Sequence, residues 1–225
     1  MSEPCHDDFR NSSNVDGVNE RFRTLRYLTN HWDRPAAPRA YYWYLTFEAS
    51  PQLRPLVKQC QEAISFPYYD LIPESGLHLT LDRIALEREV TSTQLRLIEA
   101  AAMRACREIA PFNISIDSLG GTPGALGFSA SPGGPIRNLR EILREATLSV
   151  HPDAPIKDSK FNPHVTIAYC NTADIPAAEA IATVEKLHAL PSADVAVKET
   201  SLVLLERRQR AYVWQEISRI PLSGQ

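Results

Sequence analysis

From Arg39 onward, the sequence alternates between short segments typical of β-strands and longer segments typical of amphipathic helices. In two places one strand segment follows another across a short turn, without a helix between them. Strands joined in this way pair antiparallel, whereas a parallel sheet needs a long crossover after every strand. The order therefore predicts an α+β fold and argues against a doubly wound parallel sheet.

Individual segments carry the signals expected of their type. Residues 41–47 (YYWYLTF) are aromatic and β-branched, as in a strand, and Thr91 with Gln94 forms a capping box before a helix. Ser50 followed by Pro51 marks the start of another helix. The predicted strands are 41–47, 77–84, 112–119, 126–130, 164–169, 195–205 and 212–220, and the predicted helices are 50–65, 91–109, 135–150 and 175–190.

The first 36 residues differ from the rest of the chain. Residues 1–16 are polar, and we expect them to be frayed. Apolar residues then recur at helical spacing from Val18 to Trp32, which predicts an amphipathic helix within residues 15–32 that ends before Pro35. We therefore expect residues 1–36 to form a partly disordered N-terminal arm and residues 37–225 to form one bilobal domain.

Charge and cysteine content argue against several classes of protein. Because 24 lysines and arginines stand against 27 aspartates and glutamates, the net charge is −3, which disfavours a broad electrostatic grip on nucleic acid. The 4 cysteines stand singly and match no zinc-binding spacing. The chain shows neither a signal peptide nor a membrane-spanning stretch. We expect a cytoplasmic monomer with no metal or other cofactor and no membrane partner.

Two of the 6 histidines occupy the same local pattern. Residues 77–81 (LHLTL) and 163–167 (PHVTI) both place a histidine two positions before a threonine on a predicted strand. In both, an apolar residue also follows the histidine and the threonine, and a chain of this composition contains two such patterns by chance roughly once in a thousand cases. Since side chains at i and i+2 of a strand share a face, His78 should lie beside Thr80 and His164 beside Thr166.

Paired histidine and threonine side chains suit chemistry at a phosphodiester. In-line displacement at phosphorus needs a base for the attacking oxygen and an acid for the leaving oxygen. Histidine titrates near neutral pH, so two of them can hold opposite protonation states. Threonine hydroxyls can donate hydrogen bonds to the non-bridging phosphate oxygens. If the two strands face one cleft, they supply all of these groups to one small anion.

On these residues the chain resembles the 2H phosphoesterase superfamily, which is named for two H-x-[ST]-x motifs, in its bacterial 2′-5′ RNA ligase-like (LigT-like) branch. The matching segments are residues 76–84 (GLHLTLDRI) and 161–169 (FNPHVTIAY). The resemblance implies a bilobal α+β fold in which two antiparallel sheets form a V-shaped central groove, with helices packed outside and one motif in each lobe. It also implies that His78, Thr80, His164 and Thr166 are the catalytic residues.

Two positions depart from the pattern of that branch. Several of its members carry one arginine two residues after the threonine of the first motif and another arginine three residues after the threonine of the second motif. Here these positions hold Asp82 and Tyr169. Regular strand alternation predicts that Asp82 faces the groove, where its charge would repel a long polyanion, and that Arg83 points away. Arg83 then either reaches the phosphate or is a solvated surface residue, and Tyr169 either stacks on a base or packs.

Aromatic residues on two further strands are candidates for substrate binding. Tyr42 and Tyr44 share one face of the first strand, and Tyr212 and Trp214 share one face of the last. Each pair either packs in the core or stacks on a nucleobase. The candidate substrate-binding residues are Tyr44, Arg83, Tyr169 and Tyr212.

By the resemblance, the chain is expected to be a metal-independent phosphodiesterase that hydrolyses 2′,3′-cyclic phosphate or 2′-5′ bonds of RNA or oligonucleotides, with reversible 2′-5′ RNA ligase activity in some members. The expected partners are a nucleotide 2′,3′-cyclic phosphate, a 2′-5′-linked oligonucleotide or an RNA end. Two alternatives stay open: a module that binds a nucleotide or RNA end without turnover, and a cyclic phosphodiesterase for a non-RNA small molecule or cyclic oligonucleotide signal.

Overall fold

The computed structural model describes residues 20–48, 50–155 and 161–224, and all bounds below refer to that part of the chain. Its longer helices are α1 (Leu53–Ala63), α2 (Ser92–Cys106), α3 (Gly133–Leu148) and α4 (Ala178–Leu187). Its strands are β1 (Tyr27–Leu28), β2 (Ala40–Thr46), β3 (Tyr69–Leu71), β4 (His78–Leu86), β5 (Phe112–Thr122), β6 (Ala125–Ser131), β7 (His164–Cys170), β8 (Ile175–Pro176), β9 (Ala193–Val197), β10 (Glu199–Arg208) and β11 (Ala211–Pro221). None of these described helices is long and apolar enough to cross a membrane.

Two antiparallel sheets make up most of the fold. One sheet has the strand order β11-β10-β2-β4 and the other the order β3-β7-β6-β5-β9. The strands that carry the two His-x-Thr motifs belong to different sheets, β4 to the first and β7 to the second. Strands β4 and β7 approach each other to within 8 Å between Cα atoms. The prediction of an α+β fold with two antiparallel sheets and one motif in each is confirmed.

Helix α3 covers one face of the four-stranded sheet and thereby defines the opposite face as the groove side. Trp43 of β2 donates from Nε1 to the Thr147 hydroxyl of α3 across 3.1 Å, and both side chains are buried. Side chains of β2 that alternate with Trp43, among them Tyr42 and Tyr44, lie on the other face. The capping box of Thr91 and Gln94 starts α2 as predicted.

Two predicted elements are divided in the structure. The predicted strand 195–205 is broken after Val197, so that β9 pairs with β5 while β10 pairs with β2 and β11 in the other sheet. The segment contains no glycine or proline, so nothing marked the short polar run at residues 198–201 (KETS) as a break between two strands. The predicted helix 175–190 begins only at Ala178, because Ile175 and Pro176 pair with β1.

The predicted amphipathic helix of the N-terminal arm does not extend to Trp32. Helical residues end at Arg23, residues 27–28 form β1, and a 3-10 turn covers His31–Asp33. Pairing of β1 with β8 replaces the helix that the spacing suggested, although Leu28 and Trp32 are buried, as their apolar spacing predicted. The frayed segment predicted for residues 1–16 lies outside the described residues.

Candidate active site

The two motif histidines have matching local environments. Each begins a strand, and each is partly buried. His78 Nδ1 lies 2.9 Å from the Gly76 carbonyl oxygen, and His164 Nδ1 lies 2.9 Å from the Asn162 carbonyl oxygen. Since a carbonyl oxygen only accepts hydrogen bonds, Nδ1 carries the proton and donates in both rings. Nε2 is then the nitrogen through which each ring can exchange a proton during a reaction.

The threonines of the two motifs are each hydrogen-bonded to a tyrosine. The Thr80 side chain bonds to the Tyr44 hydroxyl, and the Thr166 side chain bonds to the Tyr169 hydroxyl. Burial raises the pKa of both tyrosine hydroxyls, so both stay protonated near neutral pH. The interaction with the threonine lowers the pKa of each tyrosine against the effect of burial, as expected where the threonine hydroxyl donates to the tyrosine oxygen.

A bulge in β7 brings Tyr169 onto the face of the second motif. Cross-strand partners pair Thr166 with Gly127 but Ala168 with Leu126, so Ile167 has no partner in this ladder. One extra residue reverses the alternation beyond it, and Tyr169 therefore shares a face with His164 and Thr166. Tyr169 occupies the groove side of its sheet but is itself buried, with 8% of its surface exposed.

Bulges in β4 exchange the expected positions of Asp82 and Arg83. Thr80 pairs with Tyr44, Asp82 with Trp43 and Arg83 with Tyr42, so the register skips Leu81. Residues opposite each other share a face, which puts Arg83 on the groove side with Thr80 and puts Asp82 on the α3 side. The expectation that Asp82 faces the groove and Arg83 points away is wrong, because it assumed a regular strand.

Asp82 belongs to a buried ion cluster beneath the first motif. Its Oδ2 lies 3.0 Å from Arg144 Nε and 3.5 Å from Arg140 Nη2, both from α3. Burial raises the pKa of the Asp82 carboxyl, and the charges of Arg140 and Arg144 act against this rise. The Arg140 Nε also donates across 2.8 Å to the carbonyl oxygen of Leu81, the bulged residue. This cluster holds the bulge that directs Arg83 towards the groove.

Aromatic rings line the groove around His78. The imidazole of His78 stacks on Tyr44, with ring centroids 4.2 Å apart and planes 15° apart, and meets the edge of Trp214 at 5.0 Å. Electrostatic interactions with Tyr169 and Tyr212 contribute to the raised pKa of Tyr44, which places hydroxyls from both sheets near one another. Tyr44 therefore packs against a motif histidine and is covered by the surrounding rings, with 1% exposed.

Two residues of the N-terminal arm also lie in this groove and were missed at the level of sequence. His31 stacks on Tyr169 at 4.1 Å, and its Nε2 lies 3.0 Å from the Tyr212 hydroxyl. Trp32 packs against both tyrosines, at 5.1 Å from Tyr169 and 5.4 Å from Tyr212. Both arm residues are buried. Only their aromatic character ahead of a proline pointed to a docked segment, and nothing in the sequence indicated where it docks.

Within the described ranges, no three or more histidine, cysteine, aspartate and glutamate side chains are grouped so that they could hold a metal ion.

Comparisons with known proteins identify the family and the fold of the chain. The family model described as 2′-5′ RNA ligase superfamily matches residues 41–210. Among solved structures, TT0787 of Thermus thermophilus aligns at 23% identity and a TM-score of 0.64, covering 82% of this chain and 98% of that one. E. coli LigT complexed with 3′-AMP aligns at 16% identity and a TM-score of 0.59, covering 83% and 99%. E. coli LigT complexed with NADP+ aligns at 15% identity and a TM-score of 0.60, covering 84% of this chain and 100% of that one. No curated protein matches the sequence significantly.

Proposed function

The chain belongs to the 2′-5′ RNA ligase superfamily, and from this we propose that it is a metal-independent phosphodiesterase acting on 2′,3′-cyclic phosphate or 2′-5′ phosphodiester bonds of RNA or oligonucleotides. The observation that carries the proposal is the matched pair of His-x-Thr strands. In both, a backbone carbonyl 2.9 Å from Nδ1 fixes the same tautomer and leaves Nε2 for proton transfer.

The proposed hydrolysis uses the two imidazoles in opposite protonation states. One neutral histidine takes a proton from water at Nε2 while the water oxygen forms a bond to phosphorus. The other histidine, protonated at Nε2, gives its proton to the ribose oxygen as the phosphorus–oxygen bond to that oxygen breaks. A 2′,3′-cyclic phosphate thus becomes a phosphomonoester with a free neighbouring hydroxyl. The same ring opening, with the 5′-hydroxyl of another ribose in place of water and the 3′-oxygen as the leaving group that takes the proton, is 2′-5′ ligation.

In the proposed complex, side chains beside the histidines bind the phosphate. The hydroxyls of Thr80 and Thr166 are hydrogen-bond donors, and in the proposed complex they turn from the neighbouring tyrosines to the non-bridging oxygens, whose charge is redistributed in the transition state. The guanidinium of Arg83, on the same face as Thr80, offers a further charge-assisted hydrogen bond. Because Asp82 is turned to the other face, its charge no longer argues against a polyanionic substrate.

Nucleotides are favoured as substrates by the likeness to LigT, which has been crystallised with 3′-AMP. A nucleoside 3′-phosphate is one product that opening a 2′,3′-cyclic phosphate can give. In the proposed complex, the phosphate lies between the two motifs and the base lies near the aromatic groove around Tyr44 and Tyr212. Tyr169, which His31 covers, would then act through Thr166 rather than stack on a base.

A substrate panel on the purified protein tests the proposal. We expect hydrolysis of nucleoside 2′,3′-cyclic phosphates or 2′-5′-linked dinucleotides, with a bell-shaped dependence of kcat/KM on pH and no loss of rate in EDTA. Ligand that binds but is recovered unchanged would favour the binding module. Turnover of only cyclic sugar phosphates or cyclic oligonucleotides would favour the non-RNA alternative. A rate that EDTA abolishes and added metal restores would refute metal independence.

A further inference from the structure

Residues 31–34 (HWDR), which we call the strap, cross the groove between the two sheets. The strap lies outside residues 41–210, the region that the family model matches. Its conformation is set by Asn30, whose side-chain oxygen accepts from the Trp32 amide at 2.9 Å and whose side-chain nitrogen donates to Asp33 at 2.7 Å. Just before it, the Thr29 amide donates to the Pro123 carbonyl oxygen in the β5–β6 turn at 2.9 Å.

On one side, the strap is attached to the five-stranded sheet. The His31 ring stacks on Tyr169, which shares its face with His164 and Thr166. The Trp32 indole donates from Nε1 to Asp70 of β3 across 2.9 Å. These contacts put the strap on the groove side of the sheet. It lies near the C-terminal end of β7, next to Tyr169 and just past the second motif.

On the other side, the strap is attached to the hairpin of the four-stranded sheet. Arg207 donates from Nη1 to the Arg34 carbonyl oxygen and from Nη2 to the Trp32 carbonyl oxygen, each across 2.6 Å, and its guanidinium lies 5.1 Å from the Trp32 ring. His31 contacts the Tyr212 hydroxyl at 3.0 Å. The hairpin also reaches the opposite sheet directly, because Arg210 lies 3.4 Å from Asp70.

The strap thus packs against both Tyr169 and Tyr212, whose rings meet edge-on at 5.5 Å, and adds to the junction of the two sheets there. A nucleotide chain that follows the groove along β7 from His164 meets buried rings immediately beyond Tyr169. A substrate whose chain stops at the reacting phosphate avoids this obstruction, whereas one that continues on both sides does not. Steric exclusion of this kind discriminates through the cost of displacing packed groups.

We propose that the strap makes the enzyme specific for chain ends, so that it accepts mononucleotides and RNA termini and excludes internal positions of a polynucleotide. This inference rests on the proposed function and adds the substrate class to it. It assigns His31 and Arg207 a role in specificity, as residues that position the strap, and gives neither a role in the chemical step.

A competition assay tests the proposal with two RNAs of one sequence. The reporter is hydrolysis of a nucleoside 2′,3′-cyclic phosphate, whose chain stops at the reacting phosphate; a protein that hydrolyses only 2′-5′ dinucleotides refutes the specificity for ends. One competitor is a short linear RNA with a 3′-phosphate, and the other is the same RNA closed into a circle, which has no end. We expect the linear RNA to inhibit at a concentration lower by about tenfold or more.

Two variants test whether the strap causes this difference. Arg207→Ala removes both contacts to the strap carbonyls, and His31→Ala removes the ring that covers Tyr169. In both, we expect the circle to inhibit nearly as well as the linear RNA, and Arg207→Ala should change the reporter rate by less than about threefold. Arg208→Ala is the matched control, because Arg208 lies on the same hairpin and, in the part of the chain that the structure describes, forms an ion pair with Glu206 and not with the strap. This variant should keep the wild-type preference.

Failure of this inference can be told apart from failure of the proposed function. If no small phosphodiester is hydrolysed, the proposed function fails and the inference fails with it. If the reporter is hydrolysed but the two RNAs inhibit wild type equally, or the linear RNA does not inhibit, the specificity for ends is refuted. If wild type prefers the linear RNA and both folded variants keep that preference, the strap is not its cause and the inference is refuted.

Discussion

The buried cluster of Asp82, Arg140 and Arg144 yields a prediction about both stability and activity. In Arg140→Met the side chain keeps most of its length but loses its charge and its donors. Asp82 then keeps one arginine instead of two, and the Leu81 carbonyl oxygen loses the donor at 2.8 Å. The Arg140 and Asp82 side chains are 8% and 12% exposed, so water does not replace these partners.

The expected cost follows from this burial. Breaking one side of a buried ion pair costs about 3–5 kcal/mol, because the remaining charge stays desolvated. We therefore expect the free energy of unfolding of Arg140→Met to fall by about 3–4 kcal/mol in urea denaturation monitored by circular dichroism. Arg96→Met, at an exposed position of α2, is the control and should change stability by less than about 0.5 kcal/mol.

A double-mutant cycle and a kinetic readout separate the ion cluster from simple loss of packing. Because Asp82→Asn removes the charge that Arg140 neutralises, the double variant should be more stable than the sum of the single effects predicts, by about 1 kcal/mol or more. The folded fraction of Arg140→Met should also show a raised KM, since the Leu81 bulge that directs Arg83 is no longer held. A loss of stability below about 1 kcal/mol, or strictly additive effects, would refute this account of the cluster.

Three further predictions concern the groove. Arg83→Gln should raise the KM for a nucleoside 2′,3′-cyclic phosphate by about tenfold, because a charge-assisted hydrogen bond to phosphate is lost. Thermal unfolding should stay unchanged, and an unaltered KM would place Arg83 outside the site. Tyr169→Phe should lower kcat by about fivefold, because the hydrogen bond between Tyr169 and Thr166 is lost, and should change KM little. An unchanged kcat would contradict the role of Tyr169 in positioning Thr166. Burial raises the folded-state pKa of Tyr44, Tyr69 and Tyr169 above 10.0, so the stability they contribute is complete below pH 10 and is lost as pH rises towards their folded values. Urea denaturation above pH 10 should show the free energy of unfolding falling by about 1.4 kcal/mol per pH unit for each tyrosine, and a flat profile would contradict this burial.

The sequence predicts the two motif faces correctly because their geometry is local. His78 and Thr80 are two residues apart with no bulge between them, as are His164 and Thr166, so strand alternation alone puts each pair on one face. Beyond each threonine the ladder skips a residue. Neither Leu81 nor Ile167 is a glycine or proline that would mark a bulge, and the faces of Asp82 and Arg83 were therefore assigned the wrong way round.

Other parts of the site depend on contacts between distant segments. The helical spacing of the arm is overridden where β1 pairs with β8, and the position of His31 follows from that pairing and from its stack on Tyr169. The break between β9 and β10 likewise reflects which sheet each half joins. Such choices are made by tertiary packing, and a single sequence carries no local signal for them.

The central claim is that His78 and His164 are an acid–base pair acting on one phosphate. Steady-state hydrolysis of a nucleoside 2′,3′-cyclic phosphate by His78→Ala and by His164→Ala tests it most directly, with thermal unfolding measured to show that both variants fold. Each single substitution should lower kcat by about 10²–10⁴-fold, and the double variant should be little worse than either, because the two rings act in one step. If either folded variant keeps a rate near that of wild type, the two histidines do not form the catalytic pair.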